Sequence, residues 1–247
     1  MISEKIVASQ FHSLWEESLP LLTPTFVRLF NEAYRDDLSE YTRNEKLNKI
    51  TIGHNIEKHD LVAELSFKLA KEANNAGIPV ANLKAKKIIE AVINETIKFL
   101  PHYNLEKDIP NNYEICESFK LAEQYEKFFK LINAKNIEFS PSIRGAGFMG
   151  ICYADLAIDD TLYEIKTVNR NLSSNDIRQL LLYLSLQASE GNQKWINGGF
   201  FNPRRALHYK FPIDHLIYHI SGGKSTHEVF QSITDFLSRE IEVDTFF

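Results

Sequence analysis

The stretch that decides the fold runs from Gly150 to Lys166, GICYADLAIDDTLYEIK. Apolar residues alternate through Cys152, Ala154, Leu156 and Ile158, then resume at Tyr163 and Ile165. A period of two is the mark of a β-strand, whose successive side chains point to opposite faces. Asp159-Asp160 separates the two runs. Asp tolerates the unusual dihedrals of a two-residue turn, so a tight β-hairpin is expected to turn there. Centring the turn on this pair makes Ile158 face Thr161, Leu156 face Tyr163 and Ala154 face Ile165, which gives one apolar core face. The same register sets Asp155 opposite Glu164 on the other face, with Lys166 beside Tyr153. Opposed Cβ atoms lie roughly 4.5–5.5 Å apart, and like charges there repel. Two carboxylates so placed need a cation, and Lys166 shares their face. This is the ground plan of a divalent-metal site.

Outward from the hairpin, a helix is expected at about 113–132 and a strand at 136–140, followed by the loop SIRGAGFMG (142–150). After it, SSNDIRQLLLYLSLQA (173–188) reads as a helix with Ser173 or Ser174 as N-cap and Asp176 in its first turn. WINGGFF (195–201) and ALHYKF (206–211) read as strands joined by NPRR, another strand-like run spans 215–220, and a last helix covers about 226–239. Helix, strand, hairpin, helix, strand is the order of an α/β layer structure with a mixed sheet. Ahead of it the pattern is helical, near 6–19, 26–34, 61–73 and 88–100, punctuated by Pro20, Pro24, Gly53, Gly77, Pro79 and Pro101. The Pro-containing segment 101–112 suggests two parts, a helical region at 1–110 and an α/β domain at 111–247.

Composition narrows the class without naming a partner. At 44% hydrophobic and 25% charged residues the chain is an ordinary soluble globular protein. No apolar run approaches the ~18 residues of a spanning helix, and MISEKIVASQ lacks the features of a signal peptide. Cys116 and Cys152 are the only cysteines, which leaves no disulfide framework and no cysteine-based zinc site. A cytoplasmic protein without a membrane partner is the expectation. The net charge of −5 argues against nonspecific coating of nucleic acid but permits a local basic groove.

Asp155, a gap of eight residues, then Glu164-Ile165-Lys166 on adjacent strands after a helix resembles the PD-(D/E)xK nuclease superfamily. Gln179 and Tyr183, one helical turn apart on the next helix, are similar to the QxxxY motif of its RecB-like branch. The resemblance covers roughly residues 113–220. It implies a restriction-endonuclease-like core and Mg²⁺- or Mn²⁺-dependent hydrolysis of phosphodiester bonds, with DNA as the expected substrate. Asp155 and Glu164 would hold the metal, helped by the backbone carbonyl of Ile165. Such a metal activates water and neutralises developing charge. Lys166 would orient or help deprotonate the water or stabilise negative charge. Gln179 and Tyr183 would contact the phosphate backbone or buttress the carboxylates. Many members add a Glu from the preceding helix; Glu117, Glu123 and Glu126 are candidates, with Glu123 preferred. Two departures stand out: Ala154 occupies the place of the Pro, and no His serves as an added ligand in 113–132. Arg144, Arg170, Arg178, Arg204 and Arg205 are candidates to line a phosphate-binding groove.

The resemblance implies roles in restriction, repair or anti-phage defence, with a helicase or ATPase as an expected kind of partner, and leaves oligomerisation open. The competing expectation is a noncatalytic nucleic-acid-binding or assembly subunit that keeps the fold; cleavage of RNA is a third. Two other signals are discounted. SGGKST (221–226) lacks the leading Gly of a phosphate-binding loop, where Tyr218 stands. His54 and His59-Asp60 lack further ligands at recognisable spacing, and His59-Asp60 reads as a helix start.

Overall fold

A computed structural model describes residues 2–41, 46–85, 88–191 and 194–239; the last residues of the expected α/β domain, 240–247, lie outside them. The chain opens with α1 (Glu4–Gln10), α2 (His12–Ser18) and α3 (Pro24–Ala33). Thr23 caps α3 by accepting the Phe26 N–H, and Pro24 sits in its first turn. A short strand β1 (Arg35–Asp37) precedes α4 (His59–Ala76), which ends at Gly77 in the left-handed conformation. A 3-10 turn (Val80–Ala85) and α5 (Ile88–Phe99) follow. A capping box between Asn111 and Glu114 starts α6 (Asn112–Leu131). Then come β2 (Ile137–Phe139), β3 (Ser142–Ile143), β4 (Cys152–Tyr153), β5 (Leu156–Ile158), β6 (Thr161–Ile165), α7 (Ser174–Ser189), β7 (Asn197–Asn202), β8 (Leu207–Pro212), α8 (Ile213–Ser221) and α9 (Thr226–Ser238).

The six-stranded sheet has the order β1-β8-β7-β6-β5-β2. It is mixed, because β6 and β7 are parallel while the other neighbours are antiparallel. The parallel pair requires a crossover, which α7 supplies. The hairpin forms in the expected register, Leu156 against Tyr163, Ala157 against Leu162 and Ile158 against Thr161. Asp159 turns the chain with φ of 53°.

Helices cover both faces of the sheet, so the chain is an α/β protein. Leu156, Ile158 and Tyr163 pack with Leu65 and Leu69 of α4, Val92 of α5 and Tyr125 and Phe128 of α6. Ala157 and Leu162 point the other way, into a core with Trp15, Leu181, Ile217 and Ile233. Both faces of the hairpin are therefore buried. Its polar positions lie on the α7 side rather than facing solvent. Among the described residues, no helix is long and apolar enough to cross a membrane.

Three expectations are corrected. The first hairpin strand breaks at Ala154-Asp155, and β4 pairs with β3 in a separate two-stranded sheet, setting Tyr153 against Ser142 rather than beside Lys166. Residues 215–220 are helical, because Ile213, Leu216, Ile217 and Ile220 bury at helical spacing. SGGKST consequently follows a helix: Gly222 ends α8 with a left-handed φ, and Ser225 caps α9 through a box with Glu228. The helical first part also contributes β1, which pairs with β8 at the edge of the sheet.

Candidate metal and phosphate site

The break at Ala154-Asp155 is what shapes the site. In a two-residue hairpin the ladder alternates, so continuation would send the Ile165 N–H to the carbonyl of residue 154. Instead the chain peels toward the preceding segment, where Ser140 N–H donates to the Asp155 carbonyl and Ala154 N–H to that of Pro141. The Asp155 carboxylate fills the vacated place and accepts the Ile165 N–H at 2.7 Å. A side chain thereby replaces a strand carbonyl, which fixes Asp155 at the end of β6 beside Glu164.

Lys166 is the hub of the other half. Its Nζ lies 2.9 Å from Glu164 Oε1, 3.0 Å from Gln179 Oε1 and 3.4 Å from Asp176 Oδ1. Gln179 in turn donates through Nε2 to the Tyr183 hydroxyl at 3.3 Å. Glu164, Lys166, Gln179 and Tyr183 therefore form one connected chain between β6 and α7. Gln179 and Tyr183 share a face because they stand four residues apart on the helix.

The electrostatics of this cluster are unbalanced. Burial raises the Asp155 carboxyl above its usual range, opposed by the Ile165 N–H and by Lys166. Burial also raises Glu164, and the adjacent Asp155 charge pushes it further up. Glu164 Oε2 is buried and has no hydrogen-bond partner. A buried acceptor left unsatisfied beside a second carboxylate is costly, and a hard cation with oxygen ligands satisfies both. The residues present thus fit a magnesium- or manganese-type ion. Among the described residues, no three His, Cys, Asp or Glu side chains converge as a metal-holding group.

Asp176, read from sequence only as a first-turn helix residue, is central. It is buried, accepts from the backbone N–H and hydroxyl of Ser173, and receives both Nη atoms of Arg170 at 2.5 and 3.0 Å. Although burial opposes ionisation, Arg170, Lys166 and Ser173 together bring its carboxyl down to about 2. Its position three residues before Gln179 was the available signal. Two charged groups from the first part of the chain also act on the site. Glu64 of α4 reinforces the upward shift of Asp155, and Lys5 of α1 opposes it.

The arginine candidates separate. Arg170 and Arg205 lie together, with Arg205 Nη1 donating to the Arg170 carbonyl at 2.8 Å and to Asn171 Oδ1 at 2.9 Å. They share a small cleft with Lys166, floored by Phe200, Phe201 and Tyr209. Arg178 turns instead toward Trp15, 5.9 Å from its ring. Arg204 is buried against Glu117 at 2.7 Å and is an internal ion pair rather than a groove residue. This contact engages Glu117, while Glu126 binds Lys130 and the Val80 N–H. Glu123 is half-buried on α6, and Arg144 is exposed between β3 and β4. The chain matches no protein-family model, and no curated protein matches it in sequence.

Proposed function

We propose that this protein is a Mg²⁺- or Mn²⁺-dependent nuclease of the PD-(D/E)xK type that hydrolyses phosphodiester bonds in DNA. The observation that carries the reading is the half-buried Asp155 carboxylate beside the buried Glu164 carboxylate, with one Glu164 oxygen unpartnered and Lys166 clasped alongside. The order of α6, β2, the β5–β6 hairpin, α7 and a parallel β7 also supports it. Asp155 and Glu164 would hold the ion, with the Ile165 carbonyl as a further oxygen donor. When bound, the ion supplies Lewis acidity and lowers the pKa of bound water. Glu164 and Gln179 hold the Lys166 ammonium beside the carboxylates, placed to stabilise negative charge on a phosphate. Arg170 and Arg205 provide cationic contacts at the cleft mouth for the substrate backbone.

Purified protein incubated with linear, circular and single-stranded DNA, with RNA alongside, tests the reading. Cleavage is expected with Mg²⁺ or Mn²⁺ and not with EDTA. Asp155→Ala and Lys166→Ala should each lower it by at least roughly 100-fold. Cleavage that survives both substitutions refutes the site. A noncatalytic nucleic-acid-binding module is the second reading, favoured by the Lys166 ammonium already having Glu164, Gln179 and Asp176 as neighbours. DNA binding without cleavage under every metal condition selects it.

A further inference from the structure

We propose that the exposed face of α8 binds a divalent transition-metal ion, with zinc the fitting example, between His215 and His219. The two imidazoles stand one helical turn apart on the solvent side of α8, opposite the buried Leu216, Ile217 and Ile220. Their Nε2 atoms are 3.2 Å apart, with ring centroids at 4.5 Å and planes at 81°. Zinc–nitrogen bonds are about 2.0–2.1 Å and tetrahedral, which places two ligand nitrogens roughly 3.3 Å from each other. The spacing, which the free rings keep through a hydrogen bond between the two Nε2 atoms, matches that of a chelate, and an ion would take the place of the shared proton.

A second observation points the same way. His215 Nδ1 lies 2.9 Å from the Tyr34 hydroxyl. Metal-ligating histidines ordinarily use the other ring nitrogen to hydrogen-bond an outer partner, which fixes tautomer and ring orientation. Tyr34 is itself held by Phe30 and Phe211, at 5.1 and 5.8 Å between ring centroids. In the ion-bound form both Nε2 atoms are unprotonated, and His215 Nδ1–H donates to the Tyr34 oxygen. Water completes the coordination, which leaves the ion exchangeable. Imidazole donors select zinc, nickel or copper over magnesium, whereas carboxylate oxygens select magnesium or manganese. The His site thus shares neither residues nor metal preference with the Asp155/Glu164 centre.

Calorimetric titration of the full chain with zinc chloride tests this, using Asp155→Asn/Glu164→Gln protein so that the carboxylates do not contribute. One saturable equivalent is expected, and millimolar Mg²⁺ should not displace it. His215→Gln and His219→Gln, each with an unchanged circular dichroism spectrum, should abolish that equivalent. Tyr34→Phe should weaken it by roughly tenfold. Zinc should also shift the imidazole nitrogen resonances of both histidines. Absence of saturable binding in the carboxylate-free protein, or binding unchanged in both histidine variants, overturns the proposal.

Discussion

Asp176 illustrates how one side chain couples folding to the candidate site. Its carboxylate holds Lys166 on one side and Arg170 on the other while bonding Ser173 at the start of α7. The folded pKa of about 2 lies below the ordinary 3.8. The stabilisation is accordingly complete above the unfolded value and is lost as pH falls from 3.8 through about 2. The depression corresponds to about 2 kcal/mol. Asp176→Asn should cost about 2–4 kcal/mol at neutral pH, because it leaves Lys166 and Arg170 facing an uncharged amide. Urea denaturation should show the gap from wild type shrinking below pH 3.8; a gap unchanged down to pH 2 would mean that charge is not its source. Asp155, Glu164 and Lys166 stand out in the sequence through the hairpin pattern, and Gln179 and Tyr183 only through the resemblance to the QxxxY motif; the break that seats the Asp155 carboxylate on the Ile165 N–H has no local sign. The roles of Asp176 and Glu64 were not legible, because their contacts depend on how α7 and α4 pack against the sheet.

At the scale of elements, β7 shows why a strand can tolerate adjacent glycines. Tyr163 of β6 lies directly opposite Gly199, and a Cβ built there would approach the Tyr163 ring to 2.4 Å and the Tyr209 carbonyl to 2.8 Å. The ring occupies the space that a side chain would otherwise fill, with its hydroxyl 3.1 Å from His208 Nε2. Gly199→Ala should therefore destabilise by about 1–3 kcal/mol through overpacking. Thermal unfolding is the measure, and an unchanged midpoint would show that Tyr163 moves aside freely. The strands at 197–202 and 207–212 were readable from their apolar and aromatic runs. The segment 215–220 has a strand-like sequence although it is helical, because a short apolar stretch carries too few residues to separate a period of two from 3.6. That difference matters chemically: in a strand His215 and His219 would be about 13 Å apart, whereas in α8 their nitrogens touch.

Across the whole molecule, the helical first part is integral to the sheet that carries the site. Asn31 of α3 is buried and binds the Leu172 backbone in both directions, donating to its carbonyl at 3.0 Å and accepting its N–H at 3.1 Å. Tyr209 of β8 also donates to Asn31 at 3.2 Å. Arg35–Asp37 covers the β8 edge, and Trp15 sits fully buried in the core that contains α7. This interlocking was not legible because β1 has only three residues and no apolar alternation, so nothing local marks RDD as an edge strand. A fragment of residues 111–247 would expose the β8 edge, the side of α7 that packs on α1 and the side of α6 that packs on α4. Edges and cores opened in this way favour association and loss of fixed packing. The fragment should retain helical circular dichroism yet lack a cooperative unfolding transition, while the full chain unfolds cooperatively. A fragment that unfolds in one sharp transition with native near-ultraviolet signal would instead make the first part dispensable for folding. Metal-dependent cleavage by such a fragment would further show that Lys5 and Glu64 do not set the electrostatics of Asp155 needed for reaction.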